Sequence, residues 1–198
     1  GAAAVLEMCE RIARAAGVRS EPPPVPEPPP APGPARAGEV VVLGGTGLIG
    51  RRCVRKLRQN GRPVTLLVRR PELLPPELRD GSVRVFAGDA ADAAVLAKVF
   101  AGAHAVLHLA TAAGDDPRTI ERHMAEAVQR AGEAALAAGV QRFVYTSSTA
   151  ALWLGDRGSV DGAAGPDRDP PQRAPYARGK SAAEHALAAL RGRGLPLV

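Results

Sequence analysis

Aromatic residues are scarce in this sequence and make up only 3% of its 198 residues. The chain has one tryptophan, two tyrosines and three phenylalanines, so its core has to be built mainly from Ala, Val and Leu. Hydrophobic residues still account for 45% of the chain, which is enough for one globular domain with a buried core.

Cysteine and long apolar runs are also scarce. Cys9 and Cys53 are the only cysteines and fall in different segments, so no disulfide framework or metal site can be built from them. No apolar stretch approaches the ~20 residues that span a bilayer. These absences favour a reducing compartment, and we expect a cytoplasmic protein with no bound metal and no membrane partner.

Lysine is the rare basic residue. The formal net charge is +6 and the isoelectric point about 10.1, yet only Lys56, Lys98 and Lys180 are lysines. The arginines are scattered rather than gathered in a run, and together with abundant Ala, Gly and Pro they indicate genome composition. We therefore expect no nucleic-acid partner despite the basic charge.

Composition divides the chain into three segments. Residues 1–19 are predicted to form a short helix, and residues 20–38 are so rich in proline that they predict an extended linker. A proline-recognition ligand is the alternative for this linker. Residues 1–19 are too few for a domain, so we expect them to be the helical tail of a fused upstream domain. Candidates for the buried side of that helix are Ala4, Leu6, Met8, Ile12 and Ala15.

From Glu39 onward, apolar strands alternate with helix-like segments. Strands are predicted at 39–43, 63–68, 82–87, 105–109 and 142–147, and helices at 48–59, 92–101, 117–138 and 174–192. This alternation predicts an α/β fold, a doubly wound parallel sheet of the Rossmann type with helices on both faces. Residues 195–198 are predicted to open a sixth strand, so we expect residues 39–198 to lack a downstream substrate region.

The most informative segment joins the first strand to the first helix. Val40–Leu43 runs into Gly44–Gly50, GGTGLIG, which spaces three glycines as G-x-x-G-x-x-G. Gly44 allows a sharp turn, Gly47 a close approach of the backbone to a ligand, and Gly50 close packing of the helix on the strand. The helix N-terminus offers free N–H groups, and its position after a strand indicates a dinucleotide pyrophosphate rather than a plain turn.

A tyrosine and a lysine share one face of the last predicted helix. Tyr176 and Lys180 are four residues apart, and a neighbouring ammonium favours the phenolate, which helps a tyrosine exchange protons. The spacing alone is weak evidence, because a solvated pair is its common explanation. Ser147 and Ser148 lie where the fifth strand meets the ligand edge. We interpret Ser148 as able to bind a substrate oxygen and Ser147 as a structural cap.

These motifs, in this order and at these separations, make residues 39–198 resemble the short-chain dehydrogenase/reductase superfamily, in particular its extended branch of NAD(P)-dependent epimerases, dehydratases and reductases. The resemblance implies hydride transfer, with Tyr176 as the catalytic acid/base, Lys180 supporting it and binding the nicotinamide ribose, and Ser148 orienting the substrate oxygen. It further implies that Asp89 contacts adenine and that His108 is structural. The predicted cofactor-binding residues, in which Arg69 and Arg70 are included for their charge and the others by the resemblance, are Gly44, Thr46, Gly47, Leu48, Ile49, Gly50, Arg69, Arg70, Asp89, Ala90, Leu109, Ala110, Thr111, Tyr176 and Lys180.

Two positions depart from the family pattern. Val68 stands where extended members often carry an acidic residue for the ribose hydroxyls, and Arg69 and Arg70 follow it. Two guanidinium groups suit a 2′-phosphate, so we expect NADP(H) in preference to NAD(H), the alternative being two solvated arginines. Met124 stands where many members have an asparagine that supports a water relay to the lysine, which predicts an absent or rerouted relay.

Two further features have structural explanations. Asp115, Asp116 and Glu121 stand at a helix start, where they are predicted to complement the helix dipole rather than to catalyse. Trp153 lies in a loop from Leu152 to Pro175, which is either a lid over the substrate or a loop that this side chain anchors.

The leading functional prediction is an NAD(P)-dependent epimerase or dehydratase of a nucleotide sugar, by family resemblance alone. The enzymatic alternative is an NADP-dependent reductase or dehydrogenase of a small ketone, such as a steroid- or flavonoid-like substrate, which Arg69 and Arg70 fit better. A non-catalytic NAD(P)-binding sensor or scaffold is the alternative of another class, and the Ser148, Tyr176 and Lys180 set counts against it. A small molecule is the expected partner, and a homodimer is left open.

Overall fold

The computed structural model of the chain describes residues 7–8, 11–12, 14–17, 35–111, 116–152, 165–167 and 173–198. Their main element is one sheet of five parallel strands: β1 (Val40–Leu43), β2 (Val64–Val68), β3 (Arg84–Ala87), β4 (Ala105–His108) and β5 (Arg142–Tyr145). The strand order is β3-β2-β1-β4-β5, so the winding reverses between β1 and β4. That reversal is the switch point of a doubly wound sheet and confirms the predicted Rossmann-type fold.

Four helices connect and follow the strands: α1 (Leu48–Gln59), α2 (Ala93–Phe100), α3 (Pro117–Ala137) and α4 (Pro175–Gly192). Single 3₁₀ turns lie at Pro71–Leu73, Pro76–Leu78 and Thr149–Ala151. The predicted strands and helices from residue 39 onward are all present, with bounds that differ from the prediction by at most 2 residues.

Both faces of the sheet are buried, because alternate residues of β1 enter two different clusters. Val41 and Leu43 pack in a cluster with side chains of α2, α3 and α4. Val40 and Val42 pack in a second cluster that includes Val54 of α1. This burial on both sides explains why β1 is a continuous apolar run rather than an alternating one.

The last residues of the chain continue the sheet beyond β5. The backbone N–H of Phe143 donates to the carbonyl of Pro196 at 2.8 Å, and that of Val198 donates to the carbonyl of Phe143 at 2.9 Å. Leu197 forms a parallel bridge with Phe143. The predicted sixth strand therefore begins beside β5.

The N-terminal segment is helical at residues 7–8, 11–12 and 14–15, as predicted. Met8 and Ile12 are 57% and 60% exposed and Ala15 is exposed as well, so the described residues do not bury this side of the helix, and its burial against an upstream domain stays a prediction. Ala4, Leu6 and residues 20–34 of the predicted linker lie outside the described residues.

Candidate active site

The turn after β1 is built around close glycine contacts. Gly44 has a φ of +82°, which glycine adopts readily, and a Cβ atom there would lie 2.7 Å from the backbone nitrogen of Ala110. A Cβ atom on Gly50 would lie 2.1 Å from the carbonyl oxygen of Gly44. The turn is therefore packed between the start of α1 and the end of β4, in the way predicted for Gly44 and Gly50.

The start of α1 is open to a ligand. Gly47 is its N-cap, no side chain caps the helix, and its first turn contains no acidic residue. A Cβ atom on Gly47 would meet only the carbonyl oxygen of Gly44, at 3.4 Å, and the neighbouring Thr46, Leu48 and Ile49 are exposed. Free N–H groups and the positive end of a helix dipole at such a surface fit the pyrophosphate of a dinucleotide.

The remaining predicted cofactor residues lie at the same edge of the sheet. The strand register pairs Leu43 with Leu67 of β2 and with His108 of β4, so the segments that follow these strands flank the glycine turn. The predicted residues that follow β2, β3 and β4 are Arg69, Arg70, Asp89, Ala90, Leu109, Ala110 and Thr111. Their common edge is the carboxyl end of the strands, where ligands of doubly wound sheets bind.

The last residue of β2 and the two residues after it differ sharply in exposure. Val68 is buried, at 6% exposure, whereas Arg69 and Arg70 are exposed to solvent. After β3, the carboxylate of Asp89 accepts a hydrogen bond from the backbone N–H of Ala91 at 2.9 Å, so it also shapes its own turn. At the adenosine end of the predicted cofactor site, the end of β2 is thus apolar, and the exposed residues that follow it are basic.

Helix α4 carries the tyrosine and lysine. Tyr176 is 43% exposed, while Lys180, one turn later, is 3% exposed. The Nζ atom of Lys180 lies 6.0 Å from the centroid of the Tyr176 ring and donates a hydrogen bond to the carbonyl oxygen of Thr146 at 2.7 Å. The Oγ atom of Ser148 accepts a hydrogen bond from the N–H of Ala150 at 3.2 Å. The end of β5 and the first turns of α4 therefore lie side by side.

The buried ammonium of Lys180 has protein neighbours in place of water. Its Nζ atom lies 4.6 Å from the ring centroid of Tyr145, within the range of a cation–π contact. Burial lowers the pKa of Lys180, and the nearby carboxylate of Glu184 acts in the opposite direction.

Ser147 is bound to the same helix. Its hydroxyl donates a hydrogen bond to the carboxylate of Glu184 and not to a backbone group, so the predicted cap is wrong for Ser147; the hydroxyl that caps a backbone N–H is that of Ser148. Sequence reasoning missed both Glu184 and Tyr145. The position of Glu184 four residues after Lys180 was a visible signal, but its partner Ser147 is 37 residues away in the chain and the spacing says nothing about it.

His108 is a buried, neutral side chain. It is 1% exposed and its ring makes an edge contact with that of Tyr145, 5.7 Å between centroids. Neither ring nitrogen has a hydrogen-bond partner among the described residues. Burial, together with the charge of Lys180, lowers the pKa of His108 to about 4, so the imidazole is uncharged at neutral pH. This agrees with a structural role rather than one as a base or metal ligand.

Met124 lies on α3 against the residue that precedes the lysine. It is 2% exposed, and its Sδ atom would be 3.2 Å from a Cβ atom on Gly179. The glycine lets the two helices approach closely at this level. A thioether can at most accept weakly, so it does not offer the amide that many family members carry at the corresponding place.

The acidic residues at the start of α3 have two different roles. The Asp116 carboxylate caps the helix by accepting hydrogen bonds from the N–H and hydroxyl of Thr119, at 2.8 and 2.7 Å, which suits its predicted helix-start role. The dipole interpretation is wrong for Glu121, which instead forms an ion pair with Arg178 of α4 at 2.6 Å. Asp115 lies outside the described residues.

A short part of the predicted lid loop is held in place. The backbone N–H of Asp167 donates to the carbonyl of Ala151 at 2.9 Å, and the hydroxyl of Ser181 on α4 donates to the carbonyl of Asp167. Asp167 itself is 3% exposed. This anchors residues 165–167 beside α4, while Trp153 lies outside the described residues.

The fold and the glycine turn define a nucleotide-binding domain of the Rossmann type. The chain belongs to the NAD dependent epimerase/dehydratase family, whose model matches residues 40–197. Membership confirms the predicted family. Within the described ranges, no helix combines the length and apolar character needed to cross a membrane.

Similar proteins include both reductases and sugar-nucleotide binders. The ceramide reductase of Caulobacter vibrioides is 38% identical over 117 residues, covering 58% of this chain and 36% of that protein. The 3 beta-hydroxysteroid dehydrogenase type 7 of Homo sapiens is 32% identical over 173 residues, covering 80% of this chain and 47% of that protein. The structure of MoeE5 in complex with UDP-glucose and NAD is 34% identical, with a TM-score of 0.61, and covers 81% of this chain and 52% of that one. The chain thus spans about half or less of the length of each.

Proposed function

We propose that the protein catalyses hydride transfer between a nicotinamide cofactor and a substrate carbon, with Ser148, Tyr176 and Lys180 as its catalytic residues. The observation that carries this proposal is the placement of Lys180. Its ammonium is buried, bound to the Thr146 carbonyl at 2.7 Å, and 6.0 Å from the ring of an exposed tyrosine. A solvated surface pair, the ordinary explanation of this spacing, would leave the lysine in water.

Tyr176 moves the proton in this proposal. In the direction of reduction its hydroxyl donates a proton to the substrate oxygen, and in the direction of oxidation its phenolate accepts one. The positive charge of Lys180 favours the phenolate, and the hydroxyl of Ser148 donates a hydrogen bond that orients the same substrate oxygen. The partial exposure of Tyr176, at 43%, leaves its hydroxyl accessible to a substrate.

The cofactor supplies the redox chemistry when it is bound, since its nicotinamide gives or accepts the hydride. The residues of this chain that would hold it are the turn Gly44–Gly50 at the pyrophosphate, Asp89 and Ala90 towards the adenine, and Leu109–Thr111 along the end of β4. The open N-terminus of α1 and the close packing of Gly44 on Ala110 support this assignment.

We further propose NADP(H) as the preferred cofactor. The buried, apolar Val68 has no group that could accept a hydrogen bond from a ribose hydroxyl, and the exposed Arg69 and Arg70 follow it. Guanidinium groups bind phosphate through charge-assisted, often bidentate hydrogen bonds, which suits a 2′-phosphate.

For the substrate we place a small ketone or its alcohol first, with a lipid- or steroid-like body. Two curated relatives, a ceramide reductase and a steroid dehydrogenase, support this class, and so does the basic segment after β2. A nucleotide sugar is the second candidate, because MoeE5, 34% identical to this chain, was solved with UDP-glucose.

The test is cofactor turnover by the full-length protein with panels of hydroxysteroids, ceramide-type ketones and nucleotide sugars. Tyr176→Phe should lower kcat by about 10²-fold or more, because it removes the proton donor, and should leave cofactor affinity within a few-fold. Turnover that Tyr176→Phe leaves unchanged would rule out this mechanism. Tight cofactor binding with no turnover on any substrate would favour the sensor or scaffold alternative.

A further inference from the structure

Each of the three residues after β5 forms a hydrogen bond with a different group. The carbonyl of Thr146 accepts from Lys180, and the hydroxyl of Ser147 donates to Glu184. The hydroxyl of Ser148 accepts from the backbone N–H of Ala150. Two of these three hydrogen bonds connect the segment to α4, through Lys180 and Glu184, which are one helical turn apart. Helix α4 therefore holds residues 146–148 at two points.

We propose that Glu184 is a positioning residue for Lys180: its carboxylate, anchored on Ser147, fixes the turn that holds the lysine and keeps the lysine in its ammonium form. The catalytic meaning of this inference rests on the proposed function. The coupling between the charges of Glu184 and Lys180 can be measured whether or not the protein turns over a substrate.

Other groups around the lysine cannot replace that carboxylate. From β4, His108 is neutral, and from β5, Tyr145 offers a ring face and has a pKa that burial raises well above its usual range. On α4 itself, Tyr176 also presents its ring, 6.0 Å from the ammonium. His108 and Tyr145 carry no negative charge at neutral pH, so neither opposes the effect of burial on Lys180 as Glu184 does.

The carboxylates of the neighbouring segments have their own cationic partners. On α3, Glu121 forms an ion pair with Arg178 at 2.6 Å, and Met124 supplies only apolar contact next to Gly179. In the segment 165–167, the carboxylate of Asp167 lies 3.6 Å from Arg173. Glu184 is bound instead to a neutral hydroxyl and forms no ion pair within the described residues, and its charge raises the pKa of Lys180.

The anchor on Ser147 makes this arrangement rigid. A long carboxylate side chain loses rotamer freedom when it is held, and a hydrogen bond to an ionised acceptor is stronger than a neutral one. Fixing Glu184 therefore also fixes the distance between its charge and the ammonium. The same contact holds Ser147 between Thr146 and Ser148, so it sets the position of both.

Loss of the Glu184 charge should lower the pKa of Lys180. Burial lowers the pKa of Lys180 and Glu184 raises it, so removing the negative charge lowers it further. The ammonium is then lost at a lower pH. Because a neutral amine no longer favours the phenolate of Tyr176, the alkaline limb of the pH–rate profile should move to lower pH as well.

The experiment titrates Lys180 directly in the full-length protein. Lysine labelled with ¹³C at Cε reports each ammonium by NMR, and the signal of Lys180 is assigned by its loss in Lys180→Arg. Glu184→Gln keeps an amide oxygen that can accept from Ser147 but removes the charge, whereas Ser147→Ala removes the hydroxyl and keeps the charge. Glu133→Gln is the matched control, since Glu133 is an exposed carboxylate on α3 that accepts from Gln129 at 3.0 Å.

Glu184→Gln should move the titration midpoint of Lys180 down by roughly half a pH unit or more, since an opposite charge nearby shifts a pKa by that order. Ser147→Ala should move it by less than half that amount, and Glu133→Gln should leave it in place. An unchanged midpoint in Glu184→Gln, or an equal shift in Glu133→Gln, would overturn the proposal. A role in folding alone would change the unfolding temperature without moving the midpoint.

If Glu184→Gln does not fold, Glu184→Asp provides the test. It keeps the charge but withdraws it by one methylene, so the midpoint should fall in the same direction by a smaller amount, and no shift would contradict the proposal. The two hypotheses fail separately. Full turnover in Tyr176→Phe sinks the proposed mechanism even if the Lys180 midpoint responds to Glu184, and an unresponsive midpoint sinks the inference even if Tyr176→Phe is inactive.

Discussion

Gly50 packs so closely on Gly44 that a Cβ atom at position 50 would lie 2.1 Å from the carbonyl oxygen of Gly44. The same atom would lie 2.7 Å from the Cα atom of Gly45, so backbone closes this space on two sides. Gly47, in the middle of the motif, has only one such neighbour, at 3.4 Å. Two glycines of one motif thus have different roles. Gly50 allows close packing of the backbone, and Gly47 leaves space for a ligand.

We therefore expect Gly50→Ala and Gly47→Ala to fail in different ways. Gly50→Ala should lower the free energy of unfolding by roughly 1–3 kcal/mol, because backbone must move to admit the methyl group. Gly47→Ala should cost less than about 1 kcal/mol, and should weaken NADPH binding by about tenfold or more by occupying space at the pyrophosphate. Denaturant unfolding and NADPH titration of both variants test this. Equal stability losses would contradict the division of roles.

The strands and the glycine turn could be predicted because their causes are local. Residues of β1 are buried on both faces, so the sequence shows an uninterrupted apolar run, and the turn that follows needs glycine at fixed positions. Ser148, Tyr176 and Lys180 could be named in the same way, since each occupies a recognisable place at a strand end or on a helix face.

The surroundings of the lysine could not be predicted, because they depend on which elements meet in space. Ser147 and Glu184 are 37 residues apart, and Glu121 and Arg178 are 57 apart. The charge pattern at the start of α3 suggested a dipole effect for Glu121, but a guanidinium delivered by α4 at 2.6 Å is a stronger partner than a helix end.

The preference for NADP(H) is tested by the double variant Arg69→Ser, Arg70→Ser. It should weaken NADPH binding by about tenfold or more, since it removes charge-assisted hydrogen bonds to the 2′-phosphate, and leave NADH binding within about twofold. Arg142→Ser is the control, because Arg142 is also exposed but lies at the start of β5, on the opposite edge of the sheet. Tighter binding of NADH than of NADPH by the unaltered protein would sink the preference.

His108 predicts a specific dependence of stability on pH. Its folded-state pKa of about 4 is below the 6.5 of a free histidine, so the unfolded chain binds a proton first as the pH falls. The contribution is fully present above pH 6.5 and is lost between pH 6.5 and about 4, by up to roughly 3 kcal/mol. Urea unfolding across this range should show a shallower loss for His108→Leu than for the unaltered protein. The exposed His104, replaced in the same way, should leave the slope unchanged; a slope that follows His104 instead would contradict the assignment.

Glu39 and Arg84 form an ion pair at the edge of the sheet opposite to the site. The Nη2 atom of Arg84 lies 2.8 Å from the Oε2 atom of Glu39, and the two side chains are only 10% and 1% exposed. The Nε atom of Arg84 also donates to the hydroxyl of Thr65 at 2.9 Å. The pair links the residue before β1 to the first residue of β3 across β2, so it joins three neighbouring strands.

Removing one member of such a pair leaves the other charge buried and uncompensated, which is more costly than the loss of the contact itself. Arg84→Met should therefore lower the free energy of unfolding by about 3–5 kcal/mol. Arg58→Met is the matched comparison, since Arg58 and Asp80 also lie 2.8 Å apart but are 31% and 49% exposed, and it should cost about 1 kcal/mol or less. Adding Glu39→Met to Arg84→Met should recover part of the loss, because it removes the stranded carboxylate. Equal losses at the two arginines, or no recovery in the double variant, would show that burial does not set the cost of breaking this pair.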